Sequence, residues 1–287
     1  MAAAGDDGRK ELQIALDGSL QNPAWSPDGK LISFTRFRKG YNEDPADIYV
    51  LNLETGEVAP IAADGGTNVS QPGSTWCQKT GNIIFSSTRD SKHDEIHRWS
   101  PKGIERVTNR ETHMAYEPSW SADGRTVVFE SHPSGKEGHG AIMLLNMDTR
   151  ALTDLTGPDR DCRQPNWSPD GKWIIYQEHK GRSWALMLYD VGAKTHRKLE
   201  IPGEGTDATF SPDSKHVLYS GEFDDEDGVL LAVPIAGGKP RPMTRGKGYH
   251  GAPSWSPDGK WIACETSPKD PDGGKGTKLV LIPVTWS

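Results

Sequence analysis

Four residues carry side chains that could do acid–base chemistry on a charged substrate: His113, Tyr116, Arg163 and His250. An arginine can neutralise the carboxylate of a uronic acid, and a histidine or tyrosine can remove the proton beside it. Brought together, the four would suit a β-eliminating lyase that acts on an acidic oligosaccharide. Each histidine could equally be a solvated loop residue, so this interpretation requires a fold in which the four side chains meet.

Six further polar residues are candidates for binding a ligand without catalysis: Asn22, Gln71, Glu117, Gln164, Asp207 and Tyr249. A mixed metal site built from His113, His250, Glu117 and Asp207 is conceivable, because imidazole and carboxylate groups are common ligands of divalent metals. The sequence has no closely spaced histidine motif. We therefore assign no metal ligand and leave open a divalent metal as cofactor.

The elements that would position these residues belong to an internal repeat. The segment Pro23–Lys30 (PAWSPDGK) returns with changes at 72, 118, 165, 208 and 253, so successive copies are 43 to 49 residues apart. This period is typical of a four-stranded propeller blade. In each copy a short aromatic strand leads into a Ser-Pro-Asp-Gly turn, and an apolar strand follows. The sequence therefore predicts an all-β, six-bladed propeller of four-stranded antiparallel blades.

The two ends of the chain indicate how the ring closes. The last copy ends after its third strand, 278–284, while a spare strand, 11–16, precedes the first copy. We predict that this N-terminal strand completes the sixth blade, because closure leaves no unprotected sheet edge at the seam. Residues 1–10 are expected to form a flexible tail, and residues 11–287 a single propeller domain. The repeated tryptophans are expected to pack between blades.

Propeller geometry places the candidate residues at one mouth of the central channel. The ten candidates lie at or just before the innermost strands, on the face opposite the Ser-Pro-Asp-Gly turns. A second ring is expected from the ends of the second strands: Arg36, Arg89, His132, His179, Glu222 and Thr266. Loops on a rigid scaffold commonly carry function, so this mouth is the predicted ligand site.

The repeat resembles that of the TolB propeller family. The segment P-x-W-S-P-D-G-K and the run Ser86–Asp90 (SSTRD) after a second strand carry the resemblance, which covers nearly the whole chain. It implies a six-bladed scaffold that binds a protein, peptide or saccharide. The same repeat occurs in oligogalacturonate lyases, which hold a metal through several histidines, and in the propellers of prolyl-oligopeptidase relatives. No G-x-S-x-G elbow is present, so serine peptidase activity is not expected.

The composition limits the kinds of partner that the protein is expected to bind. The chain has 287 residues, 33 basic and 40 acidic, with a formal charge of −7. Phosphate backbones need clustered Lys and Arg, so we expect no nucleic acid partner. The longest apolar runs are too short for a membrane span, and nothing indicates an oligomer, so a soluble monomer is expected. The first ten residues lack a signal peptide, which predicts a cytoplasmic protein, or a periplasmic or secreted one if an export signal has been removed.

Overall fold

A computed structural model describes residues 8–73, 75–134, 139–157, 159–223, 226–244, 248–268 and 276–285. These residues form six four-stranded antiparallel sheets arranged as the blades of a propeller, which confirms the predicted fold class. The chain starts with strand β1 (Lys10–Glu11). Blade 1 then contains β2 (Ser19–Trp25), β3 (Leu31–Phe37), β4 (Ala46–Asn52) and β5 (Val58–Ala62). Blade 2 contains β6 (Asn68–Val69), β7 (Ile83–Ser87), β8 (Glu95–Ser100) and β9 (Gly103–Arg106).

The remaining four blades follow the same plan. Blade 3 contains β10 (His113–Trp120), β11 (Thr126–Pro133), β12 (Ala141–Asn146) and β13 (Leu152–Asp154). Blade 4 contains β14 (Cys162–Trp167), β15 (Trp173–Lys180), β16 (Ser183–Asp190) and β17 (Thr195–Lys198). Blade 5 contains β18 (Gly205–Phe210), β19 (His216–Phe223), β20 (Glu226–Pro234) and β21 (Arg241–Pro242). Blade 6 contains β22 (Tyr249–Trp255), β23 (Trp261–Ser267) and β24 (Lys278–Pro283).

The N-terminal strand closes the ring, as predicted. Strand β1 pairs antiparallel with β24, and the Leu12 N–H then donates to the Leu279 carbonyl at 2.9 Å. The strand is shorter than predicted, because the chain leaves blade 6 after Leu12. Leu12, Ile14 and Leu16 instead pack on the apolar cluster of blade 1, so this segment ties the first blade to the last. Residues 1–7 of the predicted tail lie outside the described residues.

The repeated turn is held by a serine and an aspartate. In blade 1 the Ser26 hydroxyl donates to Asp28 Oδ1 at 2.6 Å and accepts from the Leu31 N–H at 2.9 Å. Gly29 supplies the positive φ of 71° that the turn needs. Four further copies repeat the serine–aspartate bond, at Ser121, Ser168, Ser211 and Ser256. The turn aspartates are therefore part of the scaffold.

The repeated aromatic residues pack between neighbouring blades. Trp25, Trp120, Trp167 and Trp255 are each at most 7% exposed. The Trp76 indole N–H of blade 2 donates to the Ser33 hydroxyl of blade 1 at 2.8 Å. An indole at the same place in successive copies fills the wedge between twisted sheets, which confirms the structural role predicted for these residues.

Blade 2 departs from the other copies on its inner side. Its innermost strand β6 is only two residues long, and the following segment reaches across the channel. The Asn166 side chain of blade 4 donates to the Pro72 carbonyl at 3.2 Å and to the Ala208 carbonyl at 3.1 Å. A Cβ placed on Gly73 would lie 2.5 Å from Thr209 Oγ1 of blade 5. Pro72 and Gly73 therefore narrow the channel between its two mouths.

Candidate functional site

Five of the six innermost strands contain a bulge at the same place. Their pairing registers shift there, and the residue at the shift has a left-handed backbone. These residues, with φ between 46° and 53°, are Asn22, Glu117, Gln164, Asp207 and Ala252. Such a φ costs a side-chain-bearing residue of order 1–3 kcal/mol, and strain of this kind tends to occur at functional sites.

Four of the six predicted ligand-binding residues are thus equivalent positions of the repeat. The innermost strands of blades 1, 3, 4 and 5 begin earlier than expected, so Asn22, Glu117, Gln164 and Asp207 lie inside the strands. All four residues are partly exposed. A bulge turns the strand locally and re-aims its side chain, which explains why residues of one sheet face those of the next across the channel.

The bulges are linked from blade to blade by hydrogen bonds. The Gln164 side chain donates to Asp207 Oδ1 at 3.1 Å, and its Oε1 accepts from the Asp207 backbone N–H at 3.1 Å. The Gln164 backbone N–H in turn donates to Glu130 Oε2 at 2.8 Å. At the seam, the Asn22 backbone N–H donates to Glu265 Oε2 at 3.3 Å. We call Asn22, Glu117, Glu130, Gln164, Asp207 and Glu265 the channel ring.

Three carboxyl groups of the channel ring, those of Glu117, Asp207 and Glu265, have pKa values above their ordinary values. Burial, followed by repulsion from Glu130, raises the pKa of Glu117 well above its ordinary value. Burial also raises the pKa of Asp207. Burial, with repulsion from Asp207, raises the pKa of Glu265 to about 8. Burial is the largest cause of each of these shifts, so the three groups hold their protons to a higher pH than free carboxyl groups do.

Tyr249 belongs to the same site through its hydroxyl group. It donates to Glu265 Oε1 at 3.0 Å and lies 3.1 Å from the Tyr41 hydroxyl. Tyr41 comes from the loop between β3 and β4 of blade 1, and its hydroxyl also donates to Glu265 Oε1, at 3.2 Å. The two rings meet edge to face at 6.2 Å. The blade 1 loop thus reaches over the rim of the channel to blade 6.

Gln71 holds the corresponding place in blade 2, directly before the proline of the second copy. It is only 3% exposed. Its carbonyl accepts a hydrogen bond from the Thr75 hydroxyl. Its side-chain oxygen is shielded from solvent and has no hydrogen-bond donor among the described residues. The same holds for Glu117 Oε2, so two buried acceptors in this part of the channel lack donors.

Two of the four lyase candidates lie close together on β10. The Tyr116 hydroxyl is within hydrogen-bonding reach of Asp94 and lies 3.0 Å from Met114 Sδ, while burial raises its pKa. A raised pKa disfavours the phenolate that a tyrosine base requires. His113 is the first residue of β10, and its Nδ1 lies 2.9 Å from the Thr112 hydroxyl. Burial, with the neighbouring Arg110, lowers the pKa of His113.

The other two lyase candidates have charged partners. Arg163 donates two hydrogen bonds of 3.2 Å to the Asp161 carboxylate, and its guanidinium lies 5.1 Å from the Trp184 ring centroid. His250 is 1% exposed, and its Nε2 lies 2.8 Å from an Arg9 guanidinium nitrogen. Each of the four lyase candidates therefore contacts a different partner: Thr112 for His113, Met114 for Tyr116, Asp161 for Arg163 and Arg9 for His250.

The mixed metal site of His113, His250, Glu117 and Asp207 does not form. Within the part of the chain that the structure describes, no three His, Cys, Asp or Glu side chains come together as metal ligands. His250 is directed to Arg9, and Asp207 is engaged by Gln164 and by the Ala252 N–H. These groups are therefore already hydrogen-bonded to other partners.

Sequence reasoning missed three residues of the site: Glu130, Glu265 and Tyr41. Glu130 and Glu265 lie in the second strands, opposite Tyr116 and Gly251 beside the bulges. The second ring of polar residues was predicted at the ends of these strands, at His132 and Thr266. The glutamates of the site lie slightly earlier: Glu130 is two residues before His132, and Glu265 is one residue before Thr266. Each glutamate directly follows an apolar run (VVF and WIAC), and this could have identified both.

Two cavities lie away from the channel ring. A groove of about 590 Å³ lies at the seam between blades 6 and 1, where Trp25, Leu53 and Trp261 line it. A cup of about 290 Å³ opens among the aromatic residues on the turn face, with Trp120, Trp167 and Phe210 in its wall. Neither is lined by any of the ten candidate residues, and the ligand site at the opposite mouth stays a prediction.

With this geometry the chain can be compared with known proteins. The family model of the TolB beta propeller domain matches residues 2–259, so the chain belongs to the TolB propeller family. A relative, the Tol-Pal system protein TolB of Francisella tularensis subsp. mediasiatica (strain FSC147), is 28% identical over 148 residues. The match covers 50% of this chain and 32% of that protein. The chain thus matches only about a third of the length of this relative.

Solved structures support the fold. TolB from Acinetobacter baumannii has a TM-score of 0.65 at 17% identity, covering 93% of this chain and 64% of that one. An oligogalacturonate lyase in complex with manganese has a TM-score of 0.60 at 13% identity, covering 100% of this chain and 95% of that one. Identities this low show a shared architecture alone.

The described residues contain no helix with the length and apolar character that crossing a membrane requires.

Proposed function

We propose that the chain is a non-catalytic binding propeller that recognises a segment of a protein partner at the loop-rich mouth of its channel. The observation that carries this proposal is the channel ring. Four equivalent bulges present Asn22, Glu117, Gln164 and Asp207, each partly exposed; two carry amides and two carry carboxyl groups. A rigid scaffold with unlike polar groups around one opening suits recognition of a polypeptide. Relatives named as Tol-Pal system proteins support a protein partner over a saccharide.

The charge of the mouth argues against a uronate substrate. Glu117, Glu130, Asp207 and Glu265 lie around the opening, and the nearby Arg163 is already bound to Asp161. A uronic acid would bring another carboxylate beside these acids, and Arg163, the residue predicted to neutralise it, is already paired with Asp161. The lyase alternative, with His113, Tyr116, Arg163 and His250 as its residues, is therefore the weaker hypothesis. The lyase that shares the fold has manganese in its structure, and the ligand set for a metal is missing from the described residues here.

The proposal also bears on location. Relatives named for the Tol-Pal system fit a periplasmic or secreted protein, and they give no support to the cytoplasmic location expected from the first ten residues. A partner segment would then be an exposed part of another protein in that compartment.

A peptide selection tests the proposed function. A displayed library of random peptides is panned on the wild-type protein, and binders are measured by calorimetry. We expect selected peptides to bind Gln164→Ala about tenfold or more weakly than the wild type. Removing the protein's partner in a hydrogen bond with the peptide costs about 1–3 kcal/mol. Gln78→Ala is the matched control, since Gln78 is an exposed glutamine on the opposite face.

Two outcomes would overturn the proposal. One is a set of peptides whose affinity falls with Gln78→Ala and is unchanged by Gln164→Ala. The other is turnover: ultraviolet absorbance from new C=C bonds on uronate oligomers, with or without Mn²⁺, that disappears in His250→Ala.

A further inference from the structure

Arg110 lies in the loop that joins the outer strand of blade 2 to the inner strand of blade 3, on the face of the channel ring. The residue is partly exposed, so a bound molecule can reach it. Its guanidinium donates to the Ser131 hydroxyl at 2.6 Å, and it forms no ion pair with any carboxylate of the described residues. A half-buried cation whose partner is a neutral hydroxyl is suited to receive an anion.

Two carboxylates attract the charge of Arg110, but both are bonded to other groups. Glu95 Oε1 accepts from Arg106 at 2.8 Å and from the Arg110 backbone N–H at 2.6 Å. Asp154 Oδ1 accepts from two backbone N–H groups of its own turn. Burial lowers the pKa of the Arg110 guanidinium in spite of the attraction of Glu95 and Asp154. These two acids therefore balance the charge of Arg110 only in part.

The hydrogen bond to Ser131 leaves one edge of the Arg110 guanidinium available. Ser131 accepts from Nη1, while Nε and Nη2 have no acceptor within the described part of the chain. These two nitrogens direct parallel N–H groups that match the two oxygens of a carboxylate. The loop is held in place, since the Ser134 N–H donates to the Thr112 carbonyl at 2.9 Å. A fixed backbone lowers the entropic cost of binding at this edge.

From the unbalanced charge and the available edge we propose that Arg110 binds a carboxylate of the partner, either an acidic side chain or the chain carboxy terminus. This inference rests on the proposed function and adds a contact beside the channel ring. Ser131 directly follows Glu130 of the ring, and neighbouring side chains of a strand point to opposite faces of the sheet. Glu130 bonds to Gln164 of blade 4, whereas Ser131 bonds to Arg110 on the side of blade 2. The partner segment would therefore cross the rim of blade 3.

The single charge at this place favours a carboxylate over a phosphate. His113 is the first residue after this loop and could in principle add a second charge. Burial, with the charge of Arg110, lowers the pKa of His113, so the imidazole is neutral at physiological pH. One guanidinium balances one carboxylate, whereas a phosphate monoester carries about −1.5 to −2 charges. Glu111, which is exposed beside Arg110, would repel the additional charge.

Side-chain NMR on the intact chain tests the site with small probes. The Nε–H signal of Arg110 is assigned as the one that disappears in Arg110→Gln. The first probe is Gly-Glu-Gly blocked at both ends; the second is acetylated Gly-Gly-Gly with a free carboxy terminus; the third is blocked Gly-Gln-Gly. We expect at least one of the first two to shift this signal saturably in the millimolar range, and the third to leave it unchanged. The first two probes distinguish an acidic side chain from a chain terminus.

Variants locate the binding, with affinity followed through the backbone signals of Thr112 and His113. Arg110→Gln is expected to weaken the carboxylate probe about tenfold or more, because a charge-assisted hydrogen bond is lost. Arg110→Lys keeps the charge and loses the fork, so it should weaken the probe by a smaller factor. The matched control is Arg125→Gln, at an exposed arginine in the blade 3 turn on the opposite face, which should leave affinity unchanged.

Urea unfolding separates the loss of the site from a loss of fold. The Arg110 guanidinium is partly desolvated and unbalanced, so Arg110→Gln should unfold at the same urea midpoint as the wild type or a higher one. Arg106→Gln, which removes the partner of the buried Glu95, should unfold at a lower midpoint. A midpoint for Arg110→Gln as low as that of Arg106→Gln would show that Arg110 has a structural role, and this would overturn the inference.

Three further results would overturn the inference. Equal shifts with the glutamate and glutamine probes would remove the role of charge. Unchanged affinity in Arg110→Gln would place the anion elsewhere. Stronger binding of inorganic phosphate or of a galacturonate dimer at Arg110 would assign the site to another class of anion. If no carboxylate probe binds while selected peptides still depend on Gln164, the carboxylate site fails and the proposed function stands.

Discussion

At the scale of single residues, the mouth of the channel is governed by buried carboxyl groups. Glu265 is 2% exposed and accepts hydrogen bonds from Tyr41, Tyr249 and the Asn22 N–H. These donors hold the group in place, yet burial and the neighbouring Asp207 raise its pKa to about 8. The same environment that orients Glu265 thus keeps it neutral over much of the physiological range.

This shift predicts a pH dependence of stability. A carboxyl group whose pKa is higher in the folded state binds more protons when folded, so its stabilisation is complete below the unfolded pKa. It is lost as the pH rises from about 4.3 towards the folded value of about 8. We expect the free energy of unfolding to fall over this interval in the wild type and to fall less in Glu265→Gln. Urea unfolding at several pH values measures both; identical slopes would contradict the assignment.

At the scale of elements, the repeated turn and the divergent blade 2 have different structural roles. The Ser168 hydroxyl donates to Asp170 at 2.7 Å and accepts from the Trp173 N–H at 2.9 Å, so it fixes the turn that leads into the second strand. In blade 2 the inner segment instead meets blades 4 and 5 at Gly73. Regular copies build the scaffold, and the irregular copy shapes the channel.

The turn gives a direct stability test. Ser168→Ala removes the hydroxyl of a residue that is 1% exposed, so the Trp173 N–H loses its acceptor, and Asp170 keeps the Lys172 N–H but loses the serine donor. We expect a loss of about 1–3 kcal/mol in the free energy of unfolding. Ser183→Ala, at an exposed position of β16, is the control and should change stability by less than about 0.5 kcal/mol. Equal effects of the two substitutions would refute the role given to the turn.

The narrowing of the channel can be tested at Gly73. Both Gly73 (φ 92°) and Gly65 (φ 88°) have backbones that disfavour alanine. A Cβ at Gly73 would clash with Thr209, whereas none of the described atoms lies within 4 Å of a Cβ at Gly65. Gly73→Ala should therefore destabilise by about 1–3 kcal/mol more than Gly65→Ala, the cost of overpacking. Equal unfolding midpoints would show that Gly73 does not pack across the channel.

At the scale of the whole molecule, the fold was predictable and much of the site was not. The period of the repeat and the spare N-terminal strand determine six blades and their closure, because each strand needs a partner. Asn22, Glu117, Gln164 and Asp207 were found because they precede the strongest motif of each copy. Glu130 and Glu265 follow apolar runs that mark their strands, but their part in the site depends on the bulges opposite them. Tyr41 lies on a loop that reaches another blade, and no local pattern encodes a contact as distant in sequence as Tyr41–Tyr249.

Closure itself makes a prediction for the whole ring. Removing residues 1–16 would take away β1 and the packing of Leu12, Ile14 and Leu16 on blade 1. Each part-buried aliphatic side chain contributes about 1–2 kcal/mol, so we expect a loss of at least about 3 kcal/mol in the free energy of unfolding. Removing residues 1–7 alone is the control and should leave the unfolding midpoint nearly unchanged. Equal stability of the two shortened chains would mean that β1 is dispensable.

The central claim is that a partner binds at the channel ring. Hydrogen–deuterium exchange on the complex with a selected peptide tests it most directly. We predict slower exchange in the N-terminal halves of β2, β10, β14, β18 and β22 and in the Tyr41 loop, with the outer strands unchanged. Protection confined to the outer strands β5 and β13, or to the Ser-Pro-Asp-Gly turns of the opposite face, would contradict it.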